Sequence, residues 1–533
     1  MTLLVNPPGL AAPSGPGRVS LDGTARLAGR ALRPAAHDDL RHMAAWLDRR
    51  GTAGLATLDG NFVLTWTALD GHETVVYRSV LGTTTVYFGE SGGRLHWSTD
   101  PRRLPCWPRS VGDLDEEVLP ALVTAGDFEP GRWWAKGIRR LPAGWALRVG
   151  PAGWSVEEID RLRPESVGVR RLPALATELR ARVEAAVERA AAGAERIGIV
   201  LSGGLDSSIV ASEAARSRAG VGGSRPPVVG LHWGWSSIAA LRAEPMVTAE
   251  VAARAGIDLE VLDFSGAVGP GGDYLAAAAA SPVPFNHSFY RCFDATGAAA
   301  ARLGCDVLLS GHLADALFQT GPAGPPAAIA PRVAQAAGWL TPTARDRAVR
   351  HGMSGWARAG CEGRRAAGLE AVRLGVDAEL DTAIVLGTLA PRGISLRHPF
   401  ADRSLVEFCL GLAERACRAR AYGTEVGKVA LRAAYLDTLP PAVIRREIRA
   451  PYVGVAETFI GHNRGELWRL LGEGSVLAEL GVIDATGLRA ALAGGTWVAS
   501  STALVRAAGV EAWLRRWRAD NEGADNEGGR GAS

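Results

Sequence analysis

The chain has 533 residues, 47% of them hydrophobic and 22% charged, with a formal net charge of +3. That length implies two or more domains with cores of their own, and the near-balanced charge excludes the basic field that a nucleic-acid partner selects. Six scattered cysteines without a Cys-x-x-Cys pair exclude a disulfide or zinc framework and fit a cytoplasmic chain with buried thiols.

Residues 1–18 are rich in Pro, Gly and Ser and lack a basic n-region, so they read as a flexible arm and not a signal peptide. Residues 19–156 are β-rich. Strands are expected at Asn61–Thr67, Thr74–Arg78 and Thr85–Phe88, one helix at His37–Arg49, and hairpin turns at Asp22-Gly23, Asp59-Gly60 and Asp70-Gly71. Trp133, Trp134 and Trp145 read as packing residues. Residues 157–173 are polar and proline-bearing, as an interdomain linker would be. Leu172, Leu175, Leu179, Val183 and Val187 then recur at helical spacing.

The apolar run Ile199-Val200-Leu201 reads as a buried strand, Ser202-Gly203-Gly204 as a tight turn, and Leu205 onward as a helix. Such a junction directs unpaired backbone N–H groups and the positive helix end toward one point, a cradle for an anion. The glycines allow close approach, Ser202, Ser207 and Ser208 add hydroxyl donors, and Asp206 offers a hard oxygen to Mg2+. The spacing is not that of a Walker loop. A plain Gly-Ser turn after a core strand is the alternative.

Strands at Val228–Trp233, Leu259–Leu262 and Asp306–Leu309 alternate with helices at Met246–Ala255 and Arg291–Leu303. That alternation predicts a parallel sheet with helices on both faces and ligands at the carboxyl ends of its strands. The alanine runs 276–280 and 298–301 are far too short to span a bilayer, so no membrane insertion is expected. From about Pro325 to Trp517 the chain is mostly helical without further alternation. Residues 519–533, which repeat Ala-Asp-Asn-Glu-Gly, read as a disordered tail.

The string Leu201–Ser208 resembles the pyrophosphate loop of the ATP pyrophosphatases, which split ATP into AMP and pyrophosphate. Leu308-Leu309-Ser310-Gly311-His312-Leu313-Ala314-Asp315-Ala316-Leu317-Phe318 is similar to the Leu-Ser-Gly-x-Gly-Gly-Asp-Glu-Leu-Phe signature of the asparagine synthetases. Arg397-His398-Pro399-Phe400-Ala401-Asp402 through Phe408 resembles their Arg-x-Pro-Phe-Leu-Asp-x-x-Leu-Val-Glu-Phe. That last signature separates this branch from the NAD-synthetase, GMP-synthetase and tRNA-thiolation branches. Its own role is architectural, with Asp402 as a helix cap and no pocket role expected for Arg397 or His398. Lys428–Arg432, Leu439-Pro440 and Arg445–Tyr452 are similar to the family's Lys-x-x-Leu-Arg, Leu-Pro and closing basic motif. Upstream, Leu58–Phe62, Arg78–Phe88, Leu95–Asp100 and Leu141–Gly144 resemble the family's N-terminal glutaminase domain in degraded form.

The resemblance implies an α/β synthetase domain at 174–518, with an adenine nucleotide alpha hydrolase-like parallel sheet and a helical extension. It also implies a degenerate glutaminase-like (Ntn) α+β domain at 19–156. ATP and Mg2+ would be the cofactors. Leu201, Ser202, Gly203, Gly204, Asp206, Ser207, Ser208, Leu231, Ser310 and Gly311 would contact the nucleotide, and Asp206 and Asp315 would hold the metal. Lys428, Asp315 and Arg449 would be catalytic. Arg449 stands near the family's active-site lysine, although a one-residue shift puts Ile448 there. Arg445 and Arg446 read equally as a solvated basic loop, and Asp315 alone as a helix cap.

The family's glutaminase uses an N-terminal cysteine as nucleophile. In this chain Met1 is followed by Thr2 and the first cysteine is Cys106. Thr2 could serve as an N-terminal nucleophile instead, but Leu3–Gly17 matches nothing of the family's start, so the domain is expected to be a scaffold, with the amine supplied by the substrate itself. The late basic motif and the altered Asp315 loop look most like the lasso-peptide macrolactam cyclases. That implies a ribosomal precursor peptide as substrate, with a leader peptidase and a leader-recognition protein as partners. A small-molecule β-lactam or amide synthetase, an asparagine synthetase-like enzyme and an inactive scaffold are the alternatives.

Overall fold

A computed structural model of the chain describes residues 19–27, 29–32, 36–124, 131–219, 227–284, 290–318, 337–351, 364–377, 380–421, 424–446, 453–495 and 500–528. The arm at 1–18 and the candidate residues Arg449 and Ile448 lie outside them.

The N-terminal half contains two antiparallel sheets. Strands β1 (Val19–Leu27), β2 (Arg30–Leu32), β3 (Leu58–Thr67), β4 (Thr74–Arg78), β8 (Trp145–Gly150) and β9 (Gly153–Glu158) form one, in the order β2-β1-β3-β4-β8-β9. Strands β5 (Val86–Ser91), β6 (Arg94–Ser98) and β7 (Ile138–Leu141) form the other, in the order β6-β5-β7. Successive side chains on a strand face opposite ways, and this period of two builds two cores. Val63 and Val76 join Val86, Phe88, Leu95, Trp97 and Leu141 between the sheets. Phe62, Leu64, Val75 and Tyr77 face the other way, onto Met43 and Leu47 of the helix His37–Arg50.

Two of the three expected Asp-Gly turns are corrected. Asp22-Gly23 and Asp59-Gly60 lie inside β1 and β3, which pair with each other, Ala25 opposite Gly60 and Gly23 opposite Phe62. A Cβ on Gly60 would stand 2.0 Å from Thr24 O, and one on Gly23 would stand 2.3 Å from Asn61 O. The glycines are there because two backbones come close, not because the chain reverses. Only Asp70-Gly71 turns, with Asp70 Oδ1 accepting from His72 N–H at 3.0 Å.

In the second half, β10 (Ile197–Val200), β11 (Val228–Gly234), β12 (Asp258–Asp263), β13 (Val307–Leu309) and β14 (Ser395–Arg397) form one sheet ordered β12-β11-β10-β13-β14. All four pairings are parallel. The strand order reverses between β10 and β13, the crevice where such sheets take their ligands. Both faces are covered. Ile197, Ile199, Val307 and Leu309 pack on one side with Leu179, Val183 and Val187 of the helix Leu172–Ala191, and Val229, Leu231 and Leu308 pack on the other. Leu172 itself stays exposed at the helix start. Strand β14 was not expected. It is three residues long with polar ends, so no apolar run announces it, and only pairing with β13 makes it a strand. Asp402 does cap a helix, Arg403–Gly411, accepting from Leu405 N–H at 3.2 Å.

The segment expected as a linker is docked, and the expected tail is corrected. Strand β9 runs to Glu158 and the next helix begins at Leu172. The residues between are docked, since Asp160 is paired with Arg403 at 2.6 Å and Glu165 N–H donates to Glu407 O at 2.9 Å. The final helix, Ser501–Gly528, continues through most of the segment expected to be disordered. It is anchored upstream by Trp513 and Trp517, whose indole N–H groups donate to Ser281 O and Pro108 O. Trp134 meets Trp513 at 5.3 Å between ring centroids, so the Trp133–Trp134 pair packs as expected and joins the two halves. No helix among the described residues is long and apolar enough to cross a membrane.

Candidate active site

The chain leaves β10 through Ser202-Gly203-Gly204 and enters the helix Leu205–Ala219, the expected strand–loop–helix. Gly203 has φ 71°, and a Cβ there would stand 2.7 Å from Thr248 Oγ1. The turn therefore requires glycine in both conformation and space. Ser207 ties the loop to the helix: its hydroxyl accepts from Ser202 N–H at 3.1 Å and lies 3.0 Å from Ser202 Oγ. Ser208 is fully buried, and its hydroxyl has no partner among the described residues.

Leu201 and Leu231 are also fully buried. Leu201 N–H donates to Leu231 O at 2.9 Å, so the two lie side by side inside the sheet at the floor of the crevice. Behind them the His232 ring lies 2.9 Å from Leu201 O by Nδ1, and burial lowers its pKa.

A second loop follows β13. A Cβ on Gly311 would stand 3.0 Å from Asp206 Cβ and 3.1 Å from Ser207 N, so Gly311 lets the two loops touch. Leu313, next in this loop, has φ 71° and opens the short helix Ala314–Leu317 that carries Asp315. A third loop brings Lys428, which has φ 56° and opens the helix Val429–Ala434. Leu313 and Lys428 are the two non-glycine residues with positive φ among those described. Such conformations cluster where geometry serves function.

These loops bring three of the expected site residues to one point. Lys428 Nζ lies 2.6 Å from Asp206 Oδ2 and 2.5 Å from Asp315 Oδ1. Burial disfavours the ammonium, but the two carboxylates outweigh it and raise the lysine pKa above its ordinary value. Arg432, one turn on, donates to Gly427 O and Ile444 O, holding the segment that leads toward Arg449. Arg446 is not a solvated residue: it is mostly buried and its Nη1 donates to Glu244 Oε2 at 2.9 Å.

The donor set fits ATP with a divalent cation. Asp206 and Asp315 already converge on a single positive charge, and they are the residues that would hold Mg2+. No group of three or more His, Cys, Asp or Glu side chains among the described residues is built to hold a metal. The two carboxylates would thus share the ion with phosphate oxygens and water, as hard cations on phosphate substrates do. The ion would neutralise triphosphate charge.

Sequence reasoning missed His398 and Asp381. His398, for which no pocket role was expected, lies with Nδ1 2.7 Å from Ser310 Oγ and Nε2 2.7 Å from Asp381 Oδ2. The signal was its place one residue after Arg397 at the end of β14, beside the end of β13. Arg397 turns away and donates to Ala190 O and Ala192 O.

The profile of the asparagine synthase family matches residues 178–374 and 388–515, more than half of the chain. The chain belongs to the asparagine synthase family. That membership carries ATP-dependent amide-bond formation as the reaction class. No curated protein sequence matches the chain. Among solved structures, it is similar to the U34-tRNA thiolase NcsA from Methanococcus maripaludis at 12% identity and a TM-score of 0.24, covering 55% of this chain and 79% of that one. It is also similar to a glutamine phosphoribosylpyrophosphate amidotransferase from B. subtilis, at 12% identity and a TM-score of 0.18, covering 48% of this chain and 62% of that one. These scores are too low to refine the asparagine synthase assignment.

Proposed function

We propose that the chain is an AMP-forming ligase that adenylates an Asp or Glu side-chain carboxylate of a ribosomal precursor peptide. The N-terminal amine of the core peptide then closes a macrolactam of the lasso type. A carboxylate is a poor electrophile, so ATP converts it to an acyl-adenylate and pyrophosphate leaves into the Ser202–Ser208 cradle. Lys428 offsets the charge that develops there.

The observation that carries this reading is the pairing of that site with an N-terminal half whose described residues offer no activated thiol. Its intersheet space is filled by Val63, Val76, Phe88, Trp97 and Leu141. Its one cysteine, Cys106, has a thiol pKa raised by burial, the reverse of an activated nucleophile. An amine within the substrate answers the need that glutamine would otherwise meet. A leader peptidase, to expose that amine, and a leader-recognition protein are the partners this chemistry calls for.

The test is incubation of the purified chain with ATP, Mg2+ and synthetic peptides bearing a free N-terminal amine and one Asp or Glu. Release of pyrophosphate and AMP with a product lighter by one water is expected. Absence of both overturns the reading, and ammonia-dependent conversion of aspartate would replace it with asparagine synthesis.

A further inference from the structure

Ser310, His398 and Asp381 form a hydrogen-bonded line beside the Ser202–Ser208 cradle. It starts at the end of β13, passes through the end of β14, and finishes in the helix Leu380–Ile384. Both distances are 2.7 Å, and His398 and Asp381 are buried. Burial would raise the Asp381 pKa, but its hydrogen-bonded neighbour His398, with help from His312 and Thr83, brings it below the usual carboxylate range. Ionised Asp381 is an acceptor only, so a neutral His398 carries its proton on Nε2.

Nδ1 is then an acceptor, and the Ser310 hydroxyl donates to it. Ser310 Oγ also accepts from His312 N–H at 3.2 Å. With its proton committed to the imidazole and one lone pair remaining, Ser310 is set to accept from a substrate N–H and not to donate to a phosphate. Its neighbour Gly311 touches Asp206, which puts this acceptor at the edge of the adenylation site. The other ring facing His398 is His312, 5.1 Å away between centroids, whose pKa is lowered by burial and whose Nε2–H donates to Gly375 O at 3.0 Å. The arrangement of hydroxyl, imidazole and orienting carboxylate is the one that moves protons in nucleophilic sites.

We propose that Ser310, His398 and Asp381 relay the proton lost by the amine that attacks the activated carboxyl. This rests on the amide-forming reading above. As the C–N bond forms, the acyl–phosphate C–O bond breaks and AMP leaves with the electron pair. The amine proton passes to Ser310 Oγ while the Ser310 proton passes to His398 Nδ1, and Asp381 holds the resulting imidazolium until its proton returns to solvent. Ser310 touches the amine; His398 and Asp381 are positioning residues that act through it.

The test compares full-length wild type with His398→Gln and Asp381→Asn, using ATP, Mg2+ and the peptides named above. Peptide-dependent exchange of labelled pyrophosphate into ATP should stay within about threefold of wild type while amide formation falls by about 100-fold. Hydroxylamine, a weakly basic amine that is unprotonated at neutral pH, should restore capture of the acyl group as a hydroxamate. Parallel loss of exchange and amide formation, or unchanged amide formation, overturns the relay. A readout without substrate is the His398 tautomer in the free protein, by 15N chemical shifts: protonated Nε2 with Nδ1 as acceptor is expected, and Nδ1–H at neutral pH overturns the relay. A wild type that gives neither exchange nor product counts against the macrolactam reading, and the tautomer then decides the relay by itself.

Discussion

Leu313 occupies space that Gly375 leaves open: a Cβ on Gly375 would stand 2.5 Å from Leu313 Cδ2. Leu313 stands where the resembling signature has glycine, and it keeps the left-handed conformation, φ 71°, that glycine would supply. A leucine in that region costs about 1–2 kcal/mol. Burial of its side chain, only 5% exposed, against the helix Arg364–Asp377 offsets that cost. The loop that presents Asp315 is thus preserved with different residues.

This contact gives the first prediction. Alanine favours a helix over glycine by about 1 kcal/mol, yet Gly375→Ala should destabilise by about 1–3 kcal/mol through overpacking. It should also lower pyrophosphate release by displacing Asp315. Leu313→Gly loses packing by itself. Combined with Gly375→Ala it should show a favourable coupling of about 1 kcal/mol or more. Urea unfolding of the four proteins measures it; strict additivity would show that the contact is unimportant.

Arg78 gives the second. Its guanidinium, 1% exposed, donates to Gly82 O, Leu141 O and Val376 O and pairs with Asp377 at 2.8 Å. Asp377 Oδ1 also accepts from Ala143 N–H at 3.1 Å. One buried pair therefore joins the N-terminal sheets to the synthetase half. Arg78→Met leaves Asp377 buried without its partner and should cost about 3–5 kcal/mol. Thermal unfolding and limited proteolysis near the domain junction would report it, and an unchanged melting temperature would show that the halves are held elsewhere.

The third concerns Lys428. Lys428→Met leaves Asp206 and Asp315 converging without a counter-charge, and pyrophosphate release should fall by about 100-fold or more. The wild-type lysine pKa is raised on folding, so its stabilisation is complete below the ordinary lysine value of about 10.4 and lost as pH rises through the higher folded value. Wild type should therefore show an alkaline loss of stability above about pH 10, and Lys428→Met should lack that component. Denaturation midpoints from pH 7 upward check both.

Much of the fold was legible because it depends on neighbours in sequence. The turn at Ser202–Gly204, the helix after it and the β/α alternation to Leu309 follow from local periodicity and from residues whose conformational limits are their own. Asp402 was legible as a cap for the same reason. The Asp-Gly pairs in β1 and β3 misled because a glycine answers to two needs, reversal and close approach, that look alike in one dimension. Strand β14 was hidden because three half-exposed residues carry no pattern. The final helix was hidden because its repeated polar end continues a helix anchored far upstream by Trp513 and Trp517.

By itself, the sequence determined the chemical groups of the site and the local conformations that carry them: a phosphate cradle, two carboxylates, a lysine. Only the tertiary structure decided which of them meet. Lys428 reaches Asp206 across 222 positions, and Ser310 reaches His398 across 88. Separation along the chain says nothing about such distances. They are set when hydrophobic burial on both faces aligns β10, β13 and β14 in parallel and brings their carboxyl ends to one edge. That alignment sets the cradle beside the second carboxylate and puts His398 within hydrogen-bond reach of Ser310.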